Sequence, residues 1–486
     1  MVRQSRHIWI ALSACLLRSC QAQSTTFSVP VSAPTSAVAV DSSLLSVSIE
    51  FFAFPGYTQL QSSTKCLSNI QNLRGAPPAI RIGGTTQDRA TYDASLTTAV
   101  NYSVSSPLDA PLSLTYGPSF FTLAGELAGD VTIGLNRELN NIENTRSAAE
   151  AAVQRVKGLL AIELGNEPDL YSTSSPIASG SWSPSIDGAS QKNWFTSLSS
   201  SVGNIFQGAV YLQYPSWSTA GLIPILGDAI SFVKTFSGHS YPQSACGGAS
   251  TNLQNLISHS GIVSYTSKYS AEAKAAHAQG KPYFLGETNS ATCGGGGISP
   301  TFGAGLWVMD YVLQGALAGV DRLYFHQGTI GNCAYCFWNT SSINAPYFGA
   351  YFVSEFLGSS GSTRLIQLDS GSTSIGAYAV FPSSSSAPAR VLLYNSNIYS
   401  GSGTRSSESI TLSGLSSSIS TVKTKRLSAP SSSSLASNGV VIGSSGSFGS
   451  DCSLTGTQST DSISVANQLV TINVPASEAV IVYLTS

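Results

Sequence analysis

Apolar, β-branched runs of strand length recur along the chain at 44–51, 79–83, 131–136, 159–165, 209–213, 235–241, 283–287 and 321–327. They are nearly continuous instead of alternating apolar with polar, so both faces of each strand are expected to be covered. Between them lie stretches of helical period: 145–157, with Ala149, Ala152, Val153 and Val156 on one side; 265–279, ending before Gly280; and 302–317. Eight such strands alternating with helices predict an α/β fold, a parallel sheet wrapped by helices, whose closed form is the (β/α)8 TIM barrel. The pattern places this barrel over 42–350.

After about Tyr351 helical periodicity stops and Ser and Gly dominate, as at 358–361, 383–386 and 431–434. Short runs at 374–381, 390–394, 408–412, 421–427 and 479–484 predict a C-terminal β-sandwich domain over 351–486. The segment 23–41, with its alternating valines and prolines, is expected to join that sandwich. Ahead of it, Arg3, Arg6 and His7 precede an apolar run over 8–17 that is too short to span a bilayer, and Cys20-Gln21-Ala22 offers small residues for cleavage. Residues 1–22 therefore read as a secretory signal peptide, which predicts a secreted, extracellular protein. Removing Cys15 and Cys20 with it leaves Cys66, Cys246, Cys293, Cys333, Cys336 and Cys452, an even set in an oxidising compartment. Up to three disulfides follow, with the pairing open. In the same setting Asn101-Tyr102-Ser103 and Asn339-Thr340-Ser341 are candidate glycosylation sites.

Charge removes several classes of function. With 23 Lys and Arg against 25 Asp and Glu, and no basic run beyond the first residues, the chain has no electrostatic footprint for nucleic acid or an anionic membrane. The cysteines form no paired CxxC knuckles and the five histidines no HExxH motif, so Cys333-Ala334-Tyr335-Cys336 reads as a loop staple, not a metal site. Charged residues make up only 10% of the chain, against about 25% in an ordinary globular protein. A carboxylate at the tip of each of two buried strands, Glu167 and Glu287, stands out against that background. Paired carboxylates are the minimum equipment for breaking a glycosidic bond, one protonating the leaving oxygen and the other attacking or activating water. The interval between them holds three strand–helix units of about 40 residues, which puts the pair after the fourth and seventh strands, at the face where barrel enzymes place their chemistry.

Leu164-Gly165-Asn166-Glu167-Pro168-Asp169 and Leu285-Gly286-Glu287-Thr288-Asn289-Ser290 resemble the acid/base and nucleophile motifs of the retaining glycosidases of clan A. With Leu45-Ser46-Val47-Ser48-Ile49-Glu50, Arg81-Ile82-Gly83-Gly84-Thr85 and the glycine run 294–297, the resemblance is to glycoside hydrolase family 79, the family of β-glucuronidases and heparanase. It implies Glu167 as general acid/base, Glu287 as nucleophile and Asn166 as the contact to the sugar 2-hydroxyl. It also implies that Gly294, Gly295 and Tyr335 hold a uronic carboxylate through neutral donors, and that His239 and Tyr241 touch the nucleophile or substrate. Glu50, Thr85 and Asp88 are expected to meet sugar hydroxyls. Glu163 shares side-chain parity with Glu167 and so points into the barrel, where a buried charge needs a partner such as Arg81.

The resulting expectation is a retaining exo-β-glucuronidase that removes terminal glucuronic acid, with or without a 4-O-methyl group, from glycan side chains, using no metal or organic cofactor. A heparanase-like endo enzyme would need basic subsites, which the strand-end loops do not offer. The alternatives are a clan A enzyme for a neutral sugar (glucosidase, xylosidase or endo-glucanase) and a catalytically inactive glycan-binding protein of the cell wall.

Overall fold

The computed structural model describes residues 25–359 and 363–484, so the signal-peptide segment lies outside the described residues. Eight parallel strands close into a barrel: β1 (Leu45–Glu50), β2 (Ile80–Gly83), β3 (Val131–Leu135), β4 (Leu159–Leu164), β5 (Phe206–Tyr211), β6 (Val233–Ser240), β7 (Tyr283–Thr288) and β8 (Arg322–Gln327). Each pairs with its sequence neighbour, and β8 returns to β1 with Leu323 opposite Leu45. The strands are buried along nearly their whole length, which is why they read as continuous apolar runs.

Two departures from the sequence pattern have local causes. The fifth strand begins at Phe206 instead of Ala209 because polar Gln207 is a barrel residue, donating to Glu163 Oε2 at 2.7 Å. The helix expected over 265–279 is two, His259–Ser267 and Ser270–His277, broken at Lys268 and Tyr269. The last barrel helix, Ala345–Leu357, runs past residue 350 because its apolar side chains remain in the barrel core, so the β-domain begins beyond it.

That domain is two packed sheets. The larger contains Ile375–Phe381, Arg390–Asn395, Glu478–Tyr483 and Thr421–Ser428; the smaller contains Ser407–Ser413 and Val470–Pro475. Both recruit the N-terminal segment, since Val38–Val40 pairs antiparallel with Thr363–Gln367 and Thr25–Ser28 pairs parallel with Ser407–Ser413. The larger sheet is buried on both sides. Ala377, Phe381, Val391 and Val482 face Ile410 and Ile472 inside the sandwich, while Tyr378, Leu392, Tyr394 and Ile481 join the core shared with the barrel helices.

Three disulfides are formed, Cys66–Cys452, Cys246–Cys293 and Cys333–Cys336, the first tying a barrel helix to the β-domain. Asn101 is exposed, whereas Asn339 is half-buried. No described helix is long and apolar enough to cross a membrane.

Candidate active site

At the carboxyl ends of the strands lies a cavity of about 1530 Å³, lined by residues between Glu50 and Tyr335, so the described residues of the β-domain contribute none of its lining. Glu167 enters it from a turn that follows β4. Gly165 there has φ +83°, and a Cβ at that position would come within 2.2 Å of the Tyr171 hydroxyl. Glu167 itself has φ +47° ahead of Pro168, a left-handed conformation uncommon for a residue with a side chain. Glu287 is the penultimate residue of β7. One oxygen from each carboxyl and one ring nitrogen of His239 lie within 4.8 Å of one another. Of the groups that could hold a metal ion among the described residues, this is the one that converges. Its charge, however, is already met by protein cations.

Arg81, buried on β2, is the main such cation. Its Nη1 donates to Glu287 Oε2 at 2.6 Å and to Ser48 Oγ at 3.1 Å, while Nη2 donates to Asn166 Oδ1 at 2.9 Å and to the Glu163 carboxylate. One guanidinium therefore braces strands β1, β2, β4 and β7 against each other. The expected Glu163–Arg81 pair is present, and the reach of the same arginine to Glu287 is an addition to it. Tyr241 donates to the other oxygen, Glu287 Oε1, at 2.7 Å. His326 Nδ1 lies 3.7 Å from Glu287 Oε2, and its Nε2 lies 3.3 Å from Glu50 Oε2.

The two carboxyls are driven apart in acidity. Burial, and then the charge on neighbouring Glu287, push Glu167 up to about 8 against the opposing pull of Arg81 and His326. Burial would raise Glu287 as well, but His326, His239, Arg81 and the Tyr241 hydroxyl outweigh it and hold this carboxyl well below the usual range. His239 is itself pushed down to about 4 by burial and is neutral above that, leaving His326, Arg81 and Tyr241 as the groups that keep Glu287 ionised. Its Nδ1 lies 2.9 Å from Glu167 Oε1, so it contacts the partner of Glu287 instead of Glu287 itself. Near neutral pH the site thus holds one protonated and one ionised carboxyl side by side.

The other expected contacts divide. Thr85, Gly294, Gly295 and Tyr335 line the cavity. Gly295 N–H is engaged within its own loop, however, donating to Thr292 O at 3.2 Å, so it does not face a ligand as expected. The donors of this nest with no acceptor among the described residues are the N–H groups of Gly294, at φ +77°, and Tyr335. Glu50 also lines the cavity, but its carboxylate is satisfied by Thr86 N at 3.0 Å, Thr86 Oγ1 at 2.6 Å and His326, which makes it a support for that histidine. Asp88 does not reach the cavity. It accepts from Asn166 N and the Tyr171 hydroxyl, both at 2.6 Å, and thereby orients the turn carrying Glu167. Asn166, buried behind Glu167, keeps its Nδ2 as a donor once Oδ1 is taken by Arg81.

Sequence reasoning missed part of the wall. The excursion after β2 forms a small sheet of Ala90–Tyr92, Val100–Tyr102 and Leu114–Tyr116 and lays residues 103–113 over the cavity, pinned by Arg89 Nη1 donating to Pro111 O at 3.0 Å. Lys268 and Tyr269, at the break between two helices, line it from the opposite side.

Residues 377–481 match the glycosyl hydrolase family 79 C-terminal beta domain. A beta-glucuronidase of Aspergillus niger is 31% identical over 378 residues, 69% of this chain and 69% of that protein. A beta-glucuronidase of Neurospora crassa is 30% identical over 386 residues, 70% of this chain and 67% of its own length. Among solved structures, a 4-O-α-L-rhamnosyl-β-D-glucuronidase from Fusarium oxysporum 12S, determined as a Rha-GlcA complex, superposes with a TM-score of 0.90 at 46% identity, covering 94% of this chain and 100% of that one. These likenesses run through the barrel and the β-domain alike, and the chain belongs to glycoside hydrolase family 79.

Proposed function

We propose that this protein is a secreted retaining β-glucuronidase with Glu287 as nucleophile and Glu167 as general acid/base. The observation that carries the reading is the split in protonation between two carboxyls whose oxygens approach within 4.8 Å. Retaining enzymes hold their carboxyls about 5 to 5.5 Å apart, and inverting enzymes leave about 6.5 to 9.5 Å for a water. Ionised Glu287 attacks C1 while protonated Glu167 gives its proton to the glycosidic oxygen, which departs as an alcohol. A covalent glycosyl ester on Glu287 results. Glu167, now a carboxylate, then takes a proton from water; the water oxygen bonds to C1 and Glu287 leaves with its electron pair. Arg81 keeps the nucleophile ionised and fixed, and the role read for Asn166, donation of its Nδ2 to the sugar 2-hydroxyl, is supported by its Oδ1 being held by Arg81.

Preference for a uronic acid over a neutral sugar rests on Gly294 N–H and on the N–H and hydroxyl of Tyr335, neutral donors that meet a C6 carboxylate without an ion pair. The names of the relatives support the same substrate class. A set of p-nitrophenyl β-glycosides tests it: the glucuronide should be hydrolysed, with the β-anomer of glucuronic acid appearing first by NMR. Turnover of only the glucoside or xyloside, or an α-anomer as first product, would end this reading.

A second reading concerns what the glucuronate carries. Val104, Leu108 and Leu112 place apolar surface on the wall beyond Glu50 and Thr85, and the Fusarium relative is named for a 4-O-rhamnosyl glucuronide. A deoxy sugar or methyl group at O4 would cover that surface. Comparing release of free glucuronic acid with release of a 4-O-substituted form from one glycan separates the two.

A further inference from the structure

Lys268 stands at the break between helices His259–Ser267 and Ser270–His277, in the excursion that follows β6, and lines the catalytic cavity. Its ammonium rests over the Tyr265 ring, 3.8 Å from the centroid, and 4.9 Å from that of Tyr269. The buried cations are met by protein acceptors: Arg81 and Arg137 each sit on a carboxylate, and Arg74 donates to the backbone carbonyls of Asp41, Ser42 and Gly358. Lys268 makes no ion pair with any described carboxylate, and burial alone lowers it to about 8. A partly desolvated ammonium facing a cavity with no anion beside it is an unmet requirement that a ligand can fill.

Its position says which part of a ligand. A general acid must touch the leaving oxygen, so the leaving group extends from Glu167 over the ends of β4 to β6. The wall there is Leu170, Leu212, Tyr265, Lys268 and Tyr269. The donors suited to the C6 carboxylate of the cleaved sugar, Gly294 and Tyr335, lie past β7 and β8, on the other side of the nucleophile.

We infer that Lys268 is a specificity-determining residue that recognises a carboxylate on the leaving group, so that the preferred substrate is a glucuronide attached to a second acidic unit. The tyrosine faces hold the ammonium by cation–π attraction and would also stack on a sugar ring of that unit. This revises the expectation that the mouth of the barrel offers no cationic subsite.

The inference rests on the glucuronidase reading, and two probes separate them: 4-carboxyphenyl and 4-carbamoylphenyl β-D-glucuronide, near-isosteres that differ in charge. Hydrolysis of the carbamoyl compound by the native protein tests glucuronidase activity alone. Lys268→Met should lower the carboxyl-to-carbamoyl ratio of kcat/KM about tenfold, the effect of one charge-assisted contact at a half-open site, and Lys268→Arg should restore part of it. An unchanged ratio, whether both activities persist or both fall together, would overturn the inference, since a structural role or contact with the C6 carboxylate affects both probes alike. Calorimetric binding of the same probes to Glu287→Gln, with and without Lys268→Met, reads that ratio even if neither compound is hydrolysed.

Discussion

At the scale of single residues, the site gathers one arginine and two unlike carboxyls. In the proposed mechanism Glu167 must be protonated to act as acid, so kcat/KM for a glucuronide is expected to fall as pH rises through about 8. Glu287→Gln should abolish turnover while leaving the fold intact. It should also bring the Glu167 carboxyl below 8, because a neighbouring negative charge is removed while burial stays. Carbon-13 NMR of labelled glutamates would read this, and an unmoved Glu167 would show that the two groups do not sense each other. Tyr335→Phe removes one donor to a C6 carboxylate. It should cost about 10- to 100-fold in kcat/KM for p-nitrophenyl glucuronide and little for the glucoside, since a hydrogen bond to a charged group contributes about 1.5 to 3 kcal/mol. Equal losses would place Tyr335 at the reaction centre or in the fold. Glu167 and Glu287 were legible in the sequence because each ends an apolar run in a charge-poor chain. Arg81 was legible only as the partner of Glu163, because its contact with Glu287 spans the barrel. The engagement of Gly295 N–H and the satisfaction of Glu50 by Thr86 depend on loop geometry that residue types do not encode.

Among the elements, the barrel strands were legible because parallel strands covered on both faces are unbroken apolar runs. The strand Thr363–Gln367 was not, since it follows a Ser/Gly cluster and its short run TRLIQ carries polar residues at each end. The three short strands that carry the 103–113 loop have too few residues to set a period. Lys268 was hidden for a related reason: the 265–279 stretch reads as one helix, on which a lysine is a solvated side chain, and only the break turns it toward the cavity. The turn after β4 depends most on a single residue. Gly165→Ala would place a Cβ against the Tyr171 hydroxyl and force a left-handed alanine, which costs about 1 to 2 kcal/mol for the backbone alone. A lowered Tm, and a loss in kcat larger than the change in KM, are expected as Glu167 shifts off its position. Unchanged kinetics would mean that the turn does not set the acid's place.

Across the whole molecule, the larger sheet of the β-domain is a wall shared by two cores, so removing it would expose the barrel helices packed beneath it. Deleting 360–486 should yield an insoluble or inactive barrel, and a soluble, fully active fragment would refute the supporting role. A buried ion network crosses this wall: His259 lies 2.8 Å from Asp310 on a barrel helix and 3.0 Å from Asp369 in the β-domain. Burial would lower this histidine, but the two aspartates raise it from 6.5 to about 10. Its folded value exceeds its unfolded one, so its contribution to stability is complete below about pH 6.5 and is lost as pH rises through about 10. The Tm gap between the native protein and His259→Asn should therefore be widest in acid and narrow toward pH 10, and a gap independent of pH would show that the ion pairs do not contribute. The strand pairing of Thr25–Ser28 with Ser407–Ser413 bears on the order of events in the making of the protein. The strand Thr25–Ser28 is completed by one that follows it by about 380 residues, since Thr25 pairs with Ile410, and at roughly 5 to 20 residues per second it waits on the order of tens of seconds for its partner. The barrel can close during that interval; the sandwich cannot, and the waiting strand Thr25–Ser28, rich in Thr and Ser instead of long apolar residues, suits a segment that must stay in water until its distant partner is made.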